Sequence, residues 1–122
     1  MRRLVVVVAL LLSTSCSPGG SDEARYELGE FFISGPSILT EQAGSLTVEN
    51  TGEFPHTLVV TRPGGGVVAA TEVVPPGQTL TLDLDLAPGP YQFTCRIVAQ
   101  GSDGGLVDHY ERGMNTTVSV EG

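Results

Sequence analysis

Four side chains of this sequence can donate to a soft metal ion: His56, Cys95, His109 and Met114. The chain has two histidines, two cysteines and two methionines in all. Met1 is the initiator and Cys16 sits in an apolar leader, so these four are the whole soft-donor set of the remaining chain. Two imidazoles and one thiolate in a trigonal arrangement, with a weak axial thioether, make a one-electron copper site. Sulfur suits Cu(I) and imidazole suits Cu(II), so an intermediate geometry serves both oxidation states. Zinc prefers a closed tetrahedron of stronger donors, although the donor types alone also admit adventitious zinc. Taken singly, each residue has a plainer reading. A histidine at a strand start is usually a surface residue, a lone cysteine an inert buried thiol, and a methionine a core filler.

The elements around them are short strands. Side chains two apart on a strand share a face. Tyr91, Phe93 and Cys95 therefore share an apolar, inward face, with Cys95 at the strand's end. His56 shares parity with Leu58 and Val60, and Met114 with Thr116, Val118 and Val120. If the strand ending at Cys95 pairs with the one starting after Met114, both residues lie at one pole, and the loop between them carries His109. A strand starting at His56 can bring its first residue to the same pole.

Other strands are expected at 26–34, 46–49, 57–61, 67–74 and 116–121. In 80–86 Leu80, Leu82, Leu84 and Leu86 alternate with Thr81, Asp83 and Asp85. Asn50-Thr51-Gly52, Pro63-Gly64, Pro75-Pro76-Gly77 and Pro88-Gly89-Pro90 punctuate them. Seven or eight strands without a helical period predict an all-β sandwich of Greek-key type. The stretch 98–113 is expected to be irregular, and loops of that length are usually functional or disordered.

The N-terminus reads as an export signal. Arg2 and Arg3 precede an apolar run, Leu4 to Leu12, too short to span a bilayer comfortably. Ser13-Thr14-Ser15-Cys16 then places a cysteine where a bacterial lipoprotein signal puts its lipidated residue, although Ser13 stands where such signals usually carry a larger aliphatic. Residues 1–16 are the predicted signal peptide, 17–25 a flexible tether and 26–122 the folded domain. Two or more acyl chains at Cys16 would anchor the protein to a membrane face. The alternative is an ordinary signal peptide, cleaved and lost. After cleavage Cys95 is the only cysteine, so no internal disulfide can form. Four arginines then face 14 acidic residues. That balance argues against nucleic acid and suits either solubility or steering of a basic partner.

Tyr91-Gln92-Phe93-Thr94-Cys95-Arg96-Ile97 followed by His109-Tyr110-Glu111-Arg112-Gly113-Met114 resembles the cupredoxin signature, a Y-x-F-x-C strand and an H-x4-M loop. Val48 to Leu58, including Glu53-Phe54-Pro55-His56-Thr57, is similar to the segment that supplies the first histidine in plastocyanin-like proteins. The resemblance covers roughly residues 26–121. It implies one copper ion held by His56, Cys95, His109 and Met114, and electron exchange through His109 beside an apolar patch. Phe54, Pro55, Leu106 and Val107 are the patch candidates, and Asp108 reads as a solvated loop charge.

Two departures stand out. Thirteen residues, 96–108, separate Cys95 from His109, where many relatives have only a few. Lengthening a loop about threefold costs only about 1 kcal/mol of closure entropy, which a metal site contributing on the order of 10 kcal/mol can absorb. Thr57 follows the first histidine where the family often has Asn; its hydroxyl and N–H are both candidates to reach the Cys95 sulfur.

The sequence therefore predicts a blue-copper one-electron carrier, monomeric, exported, and serving an unidentified redox partner. The alternatives are a copper buffer or delivery lipoprotein and a metal-free β-sandwich interaction module. Enzyme chemistry is not expected. Two histidines cannot furnish a multicopper oxidase, one cysteine cannot hold a dinuclear electron-transfer centre, and no Ser–His–Asp arrangement or phosphate loop is present.

Overall fold

The computed structural model describes residues 24–122. The predicted signal peptide, the lipidation candidate Cys16 and residues 17–23 of the predicted tether lie outside the described residues. Eleven strands run in chain order: β1 (Ala24–Gly29), β2 (Phe32–Ser34), β3 (Ile38–Thr40), β4 (Ser45–Asn50), β5 (Val59–Thr61), β6 (Val67–Ala70), β7 (Thr79–Asp83), β8 (Gly89–Thr94), β9 (Val98–Gln100), β10 (Leu106–Asp108) and β11 (Asn115–Glu121). One sheet has the order β2-β1-β4-β7 and the other β3-β11-β8-β5-β6. The fold is an all-β sandwich. Its parallel neighbours, β1 with β4 and β3 with β11, join strands distant in sequence, as Greek-key crossovers require.

Alternation drives the packing. In β4, Leu46, Val48 and Asn50 are buried while Ser45, Thr47 and Glu49 between them are half-buried. In β8, Tyr91 and Phe93 turn inward, and Cys95 just beyond is fully buried with them. The Tyr26 ring of one sheet meets Phe93 of the other with centroids 5.0 Å apart. The Tyr26 hydroxyl donates to the Pro36 carbonyl, and burial pushes this phenol up to about 12.

Four strands not expected as separate elements, β2, β3, β9 and β10, raise the number above the expected seven or eight. Each has only three residues, too few for alternation by itself to reveal it. Residues 26–34 are not one strand but a hairpin, β1 and β2, reversing at Glu30-Phe31. The extended stretch from Val67 leaves its sheet after Ala70, and Val74 returns to form a single bridge with His56. The first strand starts at Ala24, two residues before the expected edge of the domain.

Candidate metal centre

The strand ends deliver the donors to one pole. β8 and β11 pair antiparallel, with Thr94 opposite Asn115, and the Cys95 N–H donates to the Met114 carbonyl at 3.1 Å. The expected pairing of these two strands is therefore present. His56 precedes β5, and a two-way bridge to Val74 fixes its main chain: His56 N–H to Val74 O at 3.2 Å, Val74 N–H to His56 O at 2.7 Å. His109 opens a tight turn that closes when the Met114 N–H donates to the His109 carbonyl at 3.1 Å.

Three donor atoms meet in this core. His56 Nδ1 and His109 Nδ1 are 3.2 Å apart. Cys95 Sγ lies 3.9 Å from the first and 3.6 Å from the second. All three residues are buried, His56 and Cys95 at 0% exposure and His109 at 1%. Three donors about 2.0–2.3 Å from a shared ion stand roughly 3.4–3.8 Å from one another, so the triangle fits a metal ion. Met114 is also fully buried and packs in the same core cluster.

Comparison with known proteins bears on the scaffold. No family model matches the sequence, and no curated protein matches it. Solved structures do. Dithionite-reduced auracyanin from the photosynthetic bacterium Roseiflexus castenholzii aligns over 85% of this chain and 100% of its own, with a TM-score of 0.63 at 21% identity. Rusticyanin from Thiobacillus ferrooxidans aligns over 85% and 79%, with 0.63 at 16%. A purple cupredoxin from Nitrosopumilus maritimus aligns over 80% and 99%, with 0.54 at 18%. The chain has the cupredoxin fold.

On that cupredoxin scaffold the His56–Cys95–His109 triangle fits one copper ion. Burial pushes the Cys95 thiol up, but hydrogen bonds from His56, from the backbone of Thr57 and Ile97 and from the Thr57 hydroxyl outweigh it and hold the thiol below its ordinary value. The Thr57 N–H stands 3.4 Å from Sγ and its Oγ1 3.8 Å, so both candidates for the role of the missing Asn reach the sulfur. Loss of solvent, with His56 alongside, keeps the His109 imidazole below its usual value, against an opposing pull from Glu30 and Asp108. Both shifts favour the deprotonated forms that bind metal.

The long cupredoxin loop after Cys95 is not irregular. β9 and β10 pair as a hairpin, Ala99 opposite Val107, closed by Gly101 N–H to Gly105 O at 2.6 Å. Gly104 in its turn has φ +86°, a left-handed backbone that Gly adopts without strain. The insertion thus satisfies its own backbone. A small apolar cleft of about 120 Å³ lies beside His109, lined in part by Phe54, Pro55, Ile97 and Val107. Leu106, also expected there, does not line it; strand alternation turns Leu106 to solvent opposite to Val107. Asp108 is no free loop charge: its Oδ1 accepts the Tyr110 N–H at 3.0 Å and the Glu111 N–H at 3.2 Å. It caps the turn that carries His109.

Sequence reasoning missed two residues of this centre. Asn50 is fully buried, and its amide donates to the carbonyls of Phe54 and Val74, both at 2.8 Å, while its Oδ1 accepts the Gly52 N–H. It thereby ties the chain ahead of His56 to the segment that bridges it. Its parity with Leu46 and Val48 already pointed it inward, and a buried amide needs partners. Glu30, 26 positions before His56, carried no such signal; its carboxylate reaches the site only because the β1–β2 hairpin turns there.

Proposed function

We propose that this protein is a blue-copper one-electron carrier, and the observation that carries the reading is the buried triangle of two Nδ1 atoms and one Sγ. A copper ion held there supplies the electron chemistry by cycling between Cu(II) and Cu(I). His56, Cys95 and His109 would hold it, with the buried Met114 thioether as a weaker fourth donor. The protein's work is to keep these donors in one arrangement for both oxidation states. The Val74 bridge fixes His56, the β8–β11 pairing fixes Cys95, and the Asp108-capped turn fixes His109. Burial excludes water as a competing ligand and keeps the donor set from rearranging.

His109 is the proposed electron port. Its ring lies behind an apolar rim, 5.0 Å from the Phe31 ring and 6.4 Å from that of Phe54. Phe54, 49% exposed, offers contact area to a redox partner, and the acidic net charge favours a basic one. Burial of all three donors also weighs against a copper buffer or delivery role, which needs ligands that exchange. The leader, residues 1–16, supports export, with Cys16 as a lipid anchor on a membrane face.

Optical and EPR spectra of the copper-loaded chain test this reading. An intense visible sulfur-to-copper band is expected, bleached by one reducing equivalent and absent in Cys95→Ser. Met114→Leu should retain the band and shift the potential. A colourless copper-loaded chain would refute the carrier reading.

A further inference from the structure

One buried polar atom at this centre lacks a hydrogen bond. Among the described residues, His56 Nε2 is the buried side-chain nitrogen or oxygen left without a partner. Both rings aim Nδ1 at the cysteine sulfur. A His56 that ligates through Nδ1 must therefore carry its proton on Nε2, and that N–H needs an acceptor.

One carboxylate stands beside it. Glu30 Oε2 lies 3.5 Å from His56 Nε2, a polar contact that a slight ring tilt would turn into a hydrogen bond. The carboxylate is clamped in place. Its Oε1 accepts the Glu53 and Phe54 N–H groups, and its Oε2 the Glu53 N–H at 3.1 Å. Gly52 leaves the space it fills, because a Cβ there would sit 1.7 Å from Oε2. The same carboxylate thus grips residues 53 and 54 ahead of His56 and faces the ring itself.

We propose that Glu30 is a positioning residue for the metal centre, accepting the His56 Nε2–H so as to fix that ring's tautomer and orientation and to favour Cu(II) over Cu(I). The physical reason is general. A carboxylate behind a ligating histidine raises the basicity of the nitrogen on the metal, and loss of such a partner typically costs 10–100-fold in metal affinity. The harder, more charged Cu(II) gains more from a basic nitrogen than Cu(I) does. The inference rests on the copper reading above. A purely structural Glu30 would instead clamp residues 53 and 54 and leave the ring unaffected.

The test compares the full chain with Glu30→Gln and with Glu53→Gln, which removes a charge from the same segment without touching the ring. Two quantities are read: the ratio of Cu(II) to Cu(I) affinity, through the reduction potential, and solvent exchange of the His56 Nε2–H in the copper-free protein by NMR. Glu30→Gln should lower the ratio about tenfold, a rise of about 59 mV for one electron, and speed the exchange about tenfold or more. Glu53→Gln should change the ratio less than twofold. Gly52→Ala, which displaces the carboxylate but keeps its charge, should follow Glu30→Gln and carries the test if that variant does not fold. An affinity ratio for Glu30→Gln within twofold of that for Glu53→Gln, or unchanged exchange of the ring proton, overturns the proposal. A wild-type chain without the visible band defeats the carrier reading instead, and ring-proton exchange then decides whether Glu30 holds His56.

Discussion

His56 and His109 arrive at the same ion-sized gap from segments built on opposite plans. The chain ahead of His56 is held by distant residues: Asn50 reaches Phe54 and Val74, the Val74 bridge spans 18 positions, and Glu30 reaches across from the β1–β2 turn. The chain around His109 is held mostly by its near neighbours. Asp108 caps the turn, Met114 closes it, and the β9–β10 hairpin pairs with itself. Long-range ties make the first histidine part of the sandwich. Local ties make the second a module mounted on two strand ends. This explains how a thirteen-residue interval between Cys95 and His109 leaves the donor triangle intact: the added length is spent on a hairpin that asks nothing of the site.

If that contrast holds, damage to the first segment should cost most. Asn50→Ala strips the Phe54 carbonyl and the Gly52 N–H of their partners. At about 1–3 kcal/mol for each stranded group, the loss should be about 2–6 kcal/mol, measured as a lower denaturant midpoint with an unchanged slope. A loss below about 1 kcal/mol would show that the ties ahead of His56 are not what holds it.

Copper removal comes next and should separate the two segments. Free copper at about a hundred times its dissociation constant stabilises the folded state by about 2.7 kcal/mol. For a domain of roughly 100 residues, chelation should then lower the melting midpoint by roughly 10–20 °C. Amide exchange should rise more at 109–114 than at 50–56, because the former is held mostly by near neighbours. Equal acceleration in both segments would erase the distinction.

Asp108→Ala removes two hydrogen bonds from the turn. Loss of a comparable capping side chain costs about 1 kcal/mol, and calorimetry should record a drop of that size along with a shift in the visible spectrum. Smallest of all is the hairpin. Replacing Gly101–Gly105 with a two-residue Asn-Gly turn should change stability by less than about 1 kcal/mol and leave the visible band in place. A lost band would mean that the insertion shapes the site after all.

Much of this was legible in the sequence because it rests on residue type and on a period of two. The alternation in 91–95 put Tyr91, Phe93 and Cys95 on one inward face. The expected strand bounds placed His56, Cys95 and Met114 at strand ends and His109 in the loop between two of them. Turn residues marked most boundaries. The β9–β10 hairpin escaped notice because its three-residue strands, Val98–Gln100 and Leu106–Asp108, are too short to display a pattern and are separated by a glycine-rich stretch that reads as loose chain.

The sequence alone determined which atoms could bind metal, since few side chains offer a soft donor and strand parity dictates which of them face inward. Only the tertiary structure decided what surrounds those atoms. Glu30 beside His56 and Asn50 across to Val74 owe their positions to strand pairing and hairpin reversal. Contacts of that kind are set by three-dimensional closure, to which neither residue type nor local periodicity is sensitive.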